Sequence, residues 1–388
     1  MYDGRYVFTQ ITMYLPQRQF RRIVSKFNDR TQNWSFSHWN HLLVLIFGQL
    51  LGCGTLRELT DITTAHTKRS NQLGFGNSAV VRNTLSKANM LREPRIFEEF
   101  AFYMVSLAQH RRIAKEFELH GRFYAVDSTI IDLCMSVFRW ALFRSTKSGI
   151  KIHTQIDIIT EIPVFYRITN ANVSDYKAMD WIDYESNACY IFDRGYFDLA
   201  RLFRIHLCGA FFVIREKGKP AFEVVDGDEM LDGKDGVLLD QTIRFTREHN
   251  AGNYPTKLRR IVYYAEDLGR SFVYYTNNFY LAAKDIALLY RYRWQVELFF
   301  KWIKQHLKVK SFVGTSVNAV RTQLWIALCA YLLVSFFKFR SRLGQSILQI
   351  LRLVQLNLFE RRDLKELFCR EKQKIPLENN QLKLFGWK

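Results

Sequence analysis

Only six prolines punctuate the 388 residues, and no low-complexity linker or 20–50-residue repeat is visible. A solenoid is therefore not expected, and domain boundaries must come from changes of hydrophobic period. Cysteine is equally scarce: six, at 53, 134, 189, 208, 329 and 369, none in a Cys-x-x-Cys pair. That argues against a structural zinc site and a disulfide framework, and fits reduced thiols in a cytosol. The opening MYDGRYVFTQ lacks a basic-then-apolar signal pattern. The longest apolar runs, 42–51 and 324–337, are interrupted and fall short of the ~20 residues a membrane span needs. They read as buried helices. Acids are also in deficit, 37 Asp+Glu against 56 Lys+Arg, for a net charge of +19. What is present is 48% hydrophobic residues, enough for a large core. At roughly 150 residues per domain the length suggests two or three domains. The positive excess favours a polyanionic partner, and with no span in view that partner is nucleic acid, not membrane.

Residues 1 to about 120 read as helical. Ser35 or Ser37 caps a helix to Leu51, broken by Gly52 and Gly54; helices at 55–62, 78–89 and 95–112 follow. The period then changes. RFYAV (122–126) is a short apolar run ending in Asp127; 150–158 alternates Ile150, Ile152, Ile156 and Ile158 with polar residues; 164–168 and ACYIF (188–192) are further strands, the last ending in Asp193. Residues 197–206 look helical. From about 209 to 276 GAFFVIR, GVLLDQTIRF, LRRIVYYA and RSFVYYTN are strand-like. A long helix is expected from 284 to about 307, and the stripe Leu343, Ile347, Ile350, Leu351, Val354 and Leu358 predicts one more. The expected fold class is α/β: a helical front, an α/β core with a β-rich insertion, and C-terminal helices.

Asp127 and Asp193 share a context, a carboxylate ending an apolar strand, in YAV-Asp127-Ser-Thr and CYIF-Asp193-Arg-Gly-Tyr. Two such strands side by side would put two hard oxygen ligands on one cation. Each aspartate alone equally fits a turn cap. The helix YRYRWQVELFFKWIKQHLKVK adds a third feature: at 100° per residue Tyr290, Arg293, Glu297 and Lys304 share one face. That face offers a carboxylate for metal with cations on either side for phosphates. The competing reading is a solvated basic helix with Arg293–Glu297 as an i,i+4 pair.

The spacing Tyr290-x-x-Arg293-x-x-x-Glu297-x-x-x-x-x-x-Lys304 resembles the Y-R-E-K signature of bacterial DDE transposases of the insertion-sequence-four family. Asp127 in AVDSTIIDL and Asp193 in FDRGY are similar to that family's two catalytic aspartates. The resemblance spans nearly the whole chain, including SFSHWNHLLVLIFGQL, GTLRELTDI, KIHT, ITNANVSD and WIKQHLKVKSFVGTS. It implies a helical N-terminal DNA-binding domain at 1–118 and a ribonuclease-H-like catalytic domain at 119–340, with its β insertion at about 209–280. A C-terminal helical segment would occupy 341–388. It further implies Asp127, Asp193 and Glu297 as catalytic residues and metal ligands, and two Mg²⁺ ions, with Mn²⁺ as a substitute. Tyr290, Arg293 and Lys304 would be DNA-binding. The partners would be double-stranded DNA, as terminal inverted repeats and target, and a second copy of the chain in a paired-end complex. The implied reaction is metal-dependent cutting and joining of element ends through a hairpin, in the bacterial cytoplasm at the nucleoid. A DNA-binding regulator derived from a transposase and a ribonuclease-H-like nuclease are the alternatives.

Other candidates carry bland readings beside the functional ones. Lys151 and His153, on one strand face, are expected to be structural or solvent-facing more than DNA-proximal. Asp132 and Asp175 read as capping or turn residues. His38, His41 and His66 lack metal-ligand spacing. Arg194 fits a phosphate contact or a salt bridge. Arg82 and Lys87 on the 78–89 helix face a groove or pack on the core.

Overall fold

The computed structural model describes residues 4–27, 29, 31, 34–110, 121–134, 136–144, 147–227, 230–231, 233, 235–306 and 314–368. The expected end of the 95–112 helix and the tail beyond 368 lie outside these residues.

Six helices open the chain: α1 (Val7–Thr12), α2 (Gln17–Lys26), α3 (His38–Leu51), α4 (Leu56–Ala65), α5 (Arg82–Leu91) and α6 (Arg95–His110). Ser37, not Ser35, caps α3, its hydroxyl accepting from the Asn40 N–H. Gly52 ends the helix in the left-handed conformation at φ 72°, where an L side chain is strained. Thr55 caps α4. The helix predicted at 78–89 starts at Arg82 instead, and Arg82 and Lys87 are both exposed on it.

Among the described residues one sheet takes all ten strands: β1 (Arg122–Leu133), β2 (Leu142–Arg144), β3 (Lys147–Asp157), β4 (Ile162–Asn170), β5 (Ala188–Phe192), β6 (Phe211–Arg215), β7 (Phe222–Asp226), β8 (Val237–Phe245), β9 (Leu258–Ala265) and β10 (Arg270–Thr276). The order is β2-β3-β1-β5-β6-β10-β9-β8-β7, with β4 on β3. β1, β5 and β6 run parallel; the other pairings are antiparallel. The β-rich stretch thus forms no sheet of its own: β6 continues from β5, and β10 to β7 extend the same sheet. Helices α7 (Leu199–Leu207) and α8 (Glu248–Asn253) interrupt the strands.

β1 does not end at Asp127, as the apolar run suggested. It continues to Leu133 because β3 pairs with it from Tyr124 to Leu133, whereas β5 leaves it after Val126. Alternation then sorts the side chains. Phe123, Ala125, Ile191 and Val213 join a core shared with the helices, while Tyr124, Val126, Tyr190, Phe192 and Phe212 join a second core with Tyr196, Leu202 and Ile205. Both faces of β5 are therefore covered, which is why ACYIF is apolar throughout.

The helix expected from 284 to 307 is two: α9 (Ala283–Tyr292) and α10 (Trp294–His306), meeting at Arg293. α11 (Val317–Ser341) is longer than the apolar run that announced it and is long and apolar enough to cross a membrane. Its most apolar stretch is 89% buried inside the protein, the position of a central core helix. It packs against α3, α5 and α6 of the front and against α12 (Ile347–Asn357). The start of α1 also meets the segment after α12: the N–H groups of Val7 and Phe8 donate to the carbonyls of Glu360 and Leu358.

Candidate active site

The parallel pairing of β1, β5 and β6 stops in register. Val126 lies opposite Phe192 and Phe192 opposite Ile214, so Asp127, Asp193 and Arg215 are the next residues of adjacent strands. The carboxyl ends of such strands form the crevice where open α/β sheets place ligands. α9 and α10 lie over it. Tyr290 on α9 donates its hydroxyl to Asp193 Oδ1 at 3.2 Å, and Arg215 Nη2 stands 3.4 Å from the same oxygen. Arg293, at the break between the helices, donates Nη1 to Asp127 Oδ2 at 2.9 Å and Nη2 to Glu297 Oε1 at 2.7 Å. The i,i+4 pair read from the sequence is real, and its arginine also binds the first aspartate, 166 residues away.

The electrostatics record the crowding. Burial drives the Asp127 carboxyl up to about 6; Arg293 and the Ser128 N–H, 2.8 Å from Oδ1, pull against that, and Asp193 and Glu297 add to it. Burial opposes the charge of Arg293, but Tyr290, Asp127 and Glu297 hold its pKa above the ordinary value. Tyr290 is pushed up to about 12, chiefly by burial. Its ring packs 4.6 Å from that of Tyr274 and under the Arg293 guanidinium.

Five of the six residues named from sequence thus meet at one crevice: Asp127, Asp193, Tyr290, Arg293 and Glu297. Lys304 lies half-buried about two turns further along α10. Among the described residues no three acidic, His or Cys side chains stand close enough to hold a metal ion as they are. The carboxylate oxygens are engaged by Arg293, Tyr290 and Arg215 instead.

The remaining candidates sort plainly. His153 is buried, its Nε2 3.0 Å from Thr169 Oγ1 and its ring against Trp181; burial, then Lys151, lowers it to about 4. Lys151 is buried too, on Asp175. Neither is open to a large ligand. Asp132 is exposed and, five residues on, faces the opposite side of β1 from Asp127. Arg194 is exposed at the rim of a cleft of about 440 Å³ shared with Asp193 and Lys217. One neighbour of the site escaped the sequence reading: Arg215, which had a signal, since FFVIR ends as ACYIF-Asp193 does. Asp175, expected as a capping or turn residue, instead binds Lys151 and Ser128, 24 and 47 residues away, too far apart in sequence for a local pattern to show.

Comparison with known proteins gives this crevice its setting. The family model described as the transposase DDE domain matches residues 119–333, and a domain of unknown function (DUF4372) matches residues 3–76. A Sinorhizobium fredii protein named as a transposase, y4zB, is 36% identical over 288 residues, covering 72% of this chain and 78% of its own. The Synechocystis protein named for insertion sequence element IS4SA is 24% identical over 312 residues, 78% of this chain and 85% of its own. One from Geobacillus stearothermophilus, named for IS5377, is 30% identical over 210 residues, 54% and 55% of the two chains. The piggyBac transposase synaptic complex with hairpin DNA aligns at a TM-score of 0.46 and 11% identity, over 96% of this chain and 83% of that one. The chain belongs to the DDE transposases, and its insertion-sequence relatives place it with the IS4 kind.

Proposed function

We propose that this chain cuts the ends of its insertion sequence and joins them to target DNA by phosphoryl transfer at Asp127, Asp193 and Glu297. The observation that carries the reading is the meeting of Asp127 and Glu297 on one guanidinium, beside Asp193, with Asp127 held up near 6 by its burial and its acidic neighbours. A strongly perturbed carboxylate with charged partners in a crevice marks a candidate functional site. The block β4-β3-β1-β5-β6, three antiparallel strands then two parallel, supports a ribonuclease-H-like core with β7 to β10 as its β-rich addition.

Three carboxylates are hard donors suited to Mg²⁺ or Mn²⁺, and the Arg293 guanidinium marks where positive charge is wanted between Asp127 and Glu297. Asp127, Asp193 and Glu297 would hold the ions. When bound, divalent cations polarise the phosphoryl group and lower the pKa of the attacking hydroxyl. The chain's own residues do the rest. Arg293, once released from its carboxylates, binds a phosphate beside the cut with its planar fork. Tyr290 holds Asp193 in place and stacks below that guanidinium. Lys304 meets the backbone further along α10. The front, residues 1–118, reads the terminal repeats, and two copies bring two ends together; hairpin formation at the cut end belongs to this proposal.

The test is a duplex carrying the inverted repeats that flank the gene, with and without Mg²⁺. Wild type is expected to cut at the element end and join it to a target. Asp127→Asn, Asp193→Asn and Glu297→Gln should bind ends normally and lose cleavage by about 10³-fold or more. A variant that still cuts at the normal rate removes that residue from the site. End binding without cutting by the wild-type chain would mark a regulator, and cutting blind to sequence a nuclease.

A further inference from the structure

Asp175 opens a short 3₁₀ turn, Asp175–Trp181, after β4, and a turn cap would spend its carboxylate on the turn's own N–H groups. It does not. Its Oδ1 accepts from Ser128 Oγ at 2.5 Å and from Lys151 Nζ at 2.9 Å, partners on β1 and β3. Lys151 is 7% exposed and gives a second hydrogen bond, 2.6 Å, to the Val173 carbonyl. A buried ammonium needs a counter-charge, and Asp175 is the ion-pair partner it has.

The place of this group matters more than its strength. Ser128 and Lys151 lie on the sheet face opposite Asp127, because the alternation of β1 turns neighbouring side chains to opposite sides. Ser128 is also the residue whose backbone N–H fixes Asp127 Oδ1 at 2.8 Å. The other oxygen of Asp175 faces Gly195, where an added Cβ would lie 3.9 Å away, in the turn Arg194–Tyr196 directly after Asp193. One carboxylate therefore binds the segment that carries Asp127 and lies beside the turn that follows Asp193. Tyr196, buried in the same turn, feels Asp127, Asp175 and Asp193 together.

We infer that Asp175, paired with Lys151, is a positioning residue: it anchors Ser128 from the far face of the sheet and so sets the carboxylate of Asp127 for a divalent cation. The inference rests on the metal-dependent reading above and adds to it the support that orients its first ligand. Supporting hydrogen bonds of this kind typically change metal affinity by about 10–100-fold.

The experiment is Mn²⁺ titration of the full chain followed by electron paramagnetic resonance, beside thermal unfolding and the Mg²⁺ dependence of end cleavage. Asp175→Asn keeps the shape and removes the charge; it is expected to weaken Mn²⁺ binding by about 10-fold or more. The Mg²⁺ needed for half-maximal cleavage should rise in step, while the rate at saturating Mg²⁺ changes little and end binding stays. Ser128→Ala breaks the same chain without touching the buried lysine, and should shift both curves the same way by less. Asp175→Glu should recover part of the loss. A drop in melting temperature with wild-type Mn²⁺ affinity in the folded protein would make Asp175 a structural residue only and overturn the inference. A wild-type chain that binds Mn²⁺ but shows no cleavage would overturn the transposition reading while leaving the effect of Asp175 on metal affinity to be read directly; loss of affinity in the variants would then still support the positioning role.

Discussion

Arg92 and Arg293 are each the centre of a polar group sunk in the protein, and they keep opposite company. Arg92, between α5 and α6, is wholly buried. Its Nε donates to Thr31 Oγ1 at 3.2 Å, Nη1 to the Ser37 carbonyl at 3.1 Å and Nη2 to the Phe36 carbonyl, and its guanidinium lies over the Trp34 and Phe36 rings. The acid whose charge supports it is Asp29, which is 2.9 Å from His38 Nε2. His41 Nε2 pairs with Asn89 Oδ1 at 2.7 Å. Burial takes Arg92 down to about 10 and, with Arg92 beside them, holds both histidines below their ordinary range. Arg293 instead grips two carboxylates directly, and its pKa rises. The front group sets one arginine against one carboxylate and is otherwise closed by neutral oxygens and imidazoles; the crevice gathers three carboxylates balanced by Arg293 and, from β6, by Arg215. A group built for stability balances its charge with what the chain supplies, whereas a group built for a cationic or phosphate ligand is left with charges that the chain balances only by arginine.

The largest expected effect breaks the front group. Asp29→Asn removes the carboxylate and leaves Arg92 charged in the interior, at a cost of about 3 kcal/mol in urea unfolding. A change below about 0.5 kcal/mol would mean that the backbone carbonyls alone suffice for Arg92. The same chemical change at the crevice carries the opposite sign. Asp127→Asn takes away a carboxylate whose charged form burial and its neighbours oppose, and should raise stability by about 1 kcal/mol in metal-free buffer, seen as a higher melting temperature, while cleavage is lost. If both substitutions destabilise alike, the two groups do not differ as described.

This contrast also explains which parts of the molecule sequence reading reached. The strand-end aspartates, the Y-R-E-K face and the central helix were legible because each is local, a period or a spacing within one element. The break at Arg293 was not, because YRYRWQVE carries no proline or glycine; the turn there is held by contacts to Asp127 that only the fold supplies. Nor was the continuation of β1 past Asp127, which depends on the length of β3 rather than on the composition of β1. Lys151 reads as a solvent-facing lysine until Asp175 arrives from beyond β4. His38 and His41, which lack metal-ligand spacing, are buried hydrogen-bonding groups around Arg92, and their i,i+3 spacing in HWNH puts both on one inward face of α3.

The remaining effect is the dependence of stability on pH, and its sign separates the two groups once more. His41 and His38 have lowered pKa values in the folded chain, so between about pH 6.5 and their folded values the unfolded chain binds protons that the folded chain refuses. Their contribution is complete above pH 6.5 and is lost as pH falls, at up to about 1.4 kcal/mol per pH unit for each histidine. His153, lowered to about 4, adds the same sign. Asp29 is lowered as well, but its contribution disappears only below its unfolded value of 3.8. Asp127, raised to about 6, works the other way: the folded chain takes up its proton first, and stability is gained as pH falls from 6 towards 3.8. With several histidines set against one aspartate, unfolding free energy should fall between pH 7 and pH 5. His41→Gln, which keeps a hydrogen bond to Asn89 and removes the titration, should flatten that fall, and Asp127→Asn, which removes the opposing group, should steepen it. Urea unfolding at half-unit pH steps reads both slopes; a His41→Gln slope equal to wild type would mean that the imidazole is protonated as easily inside the fold as outside it.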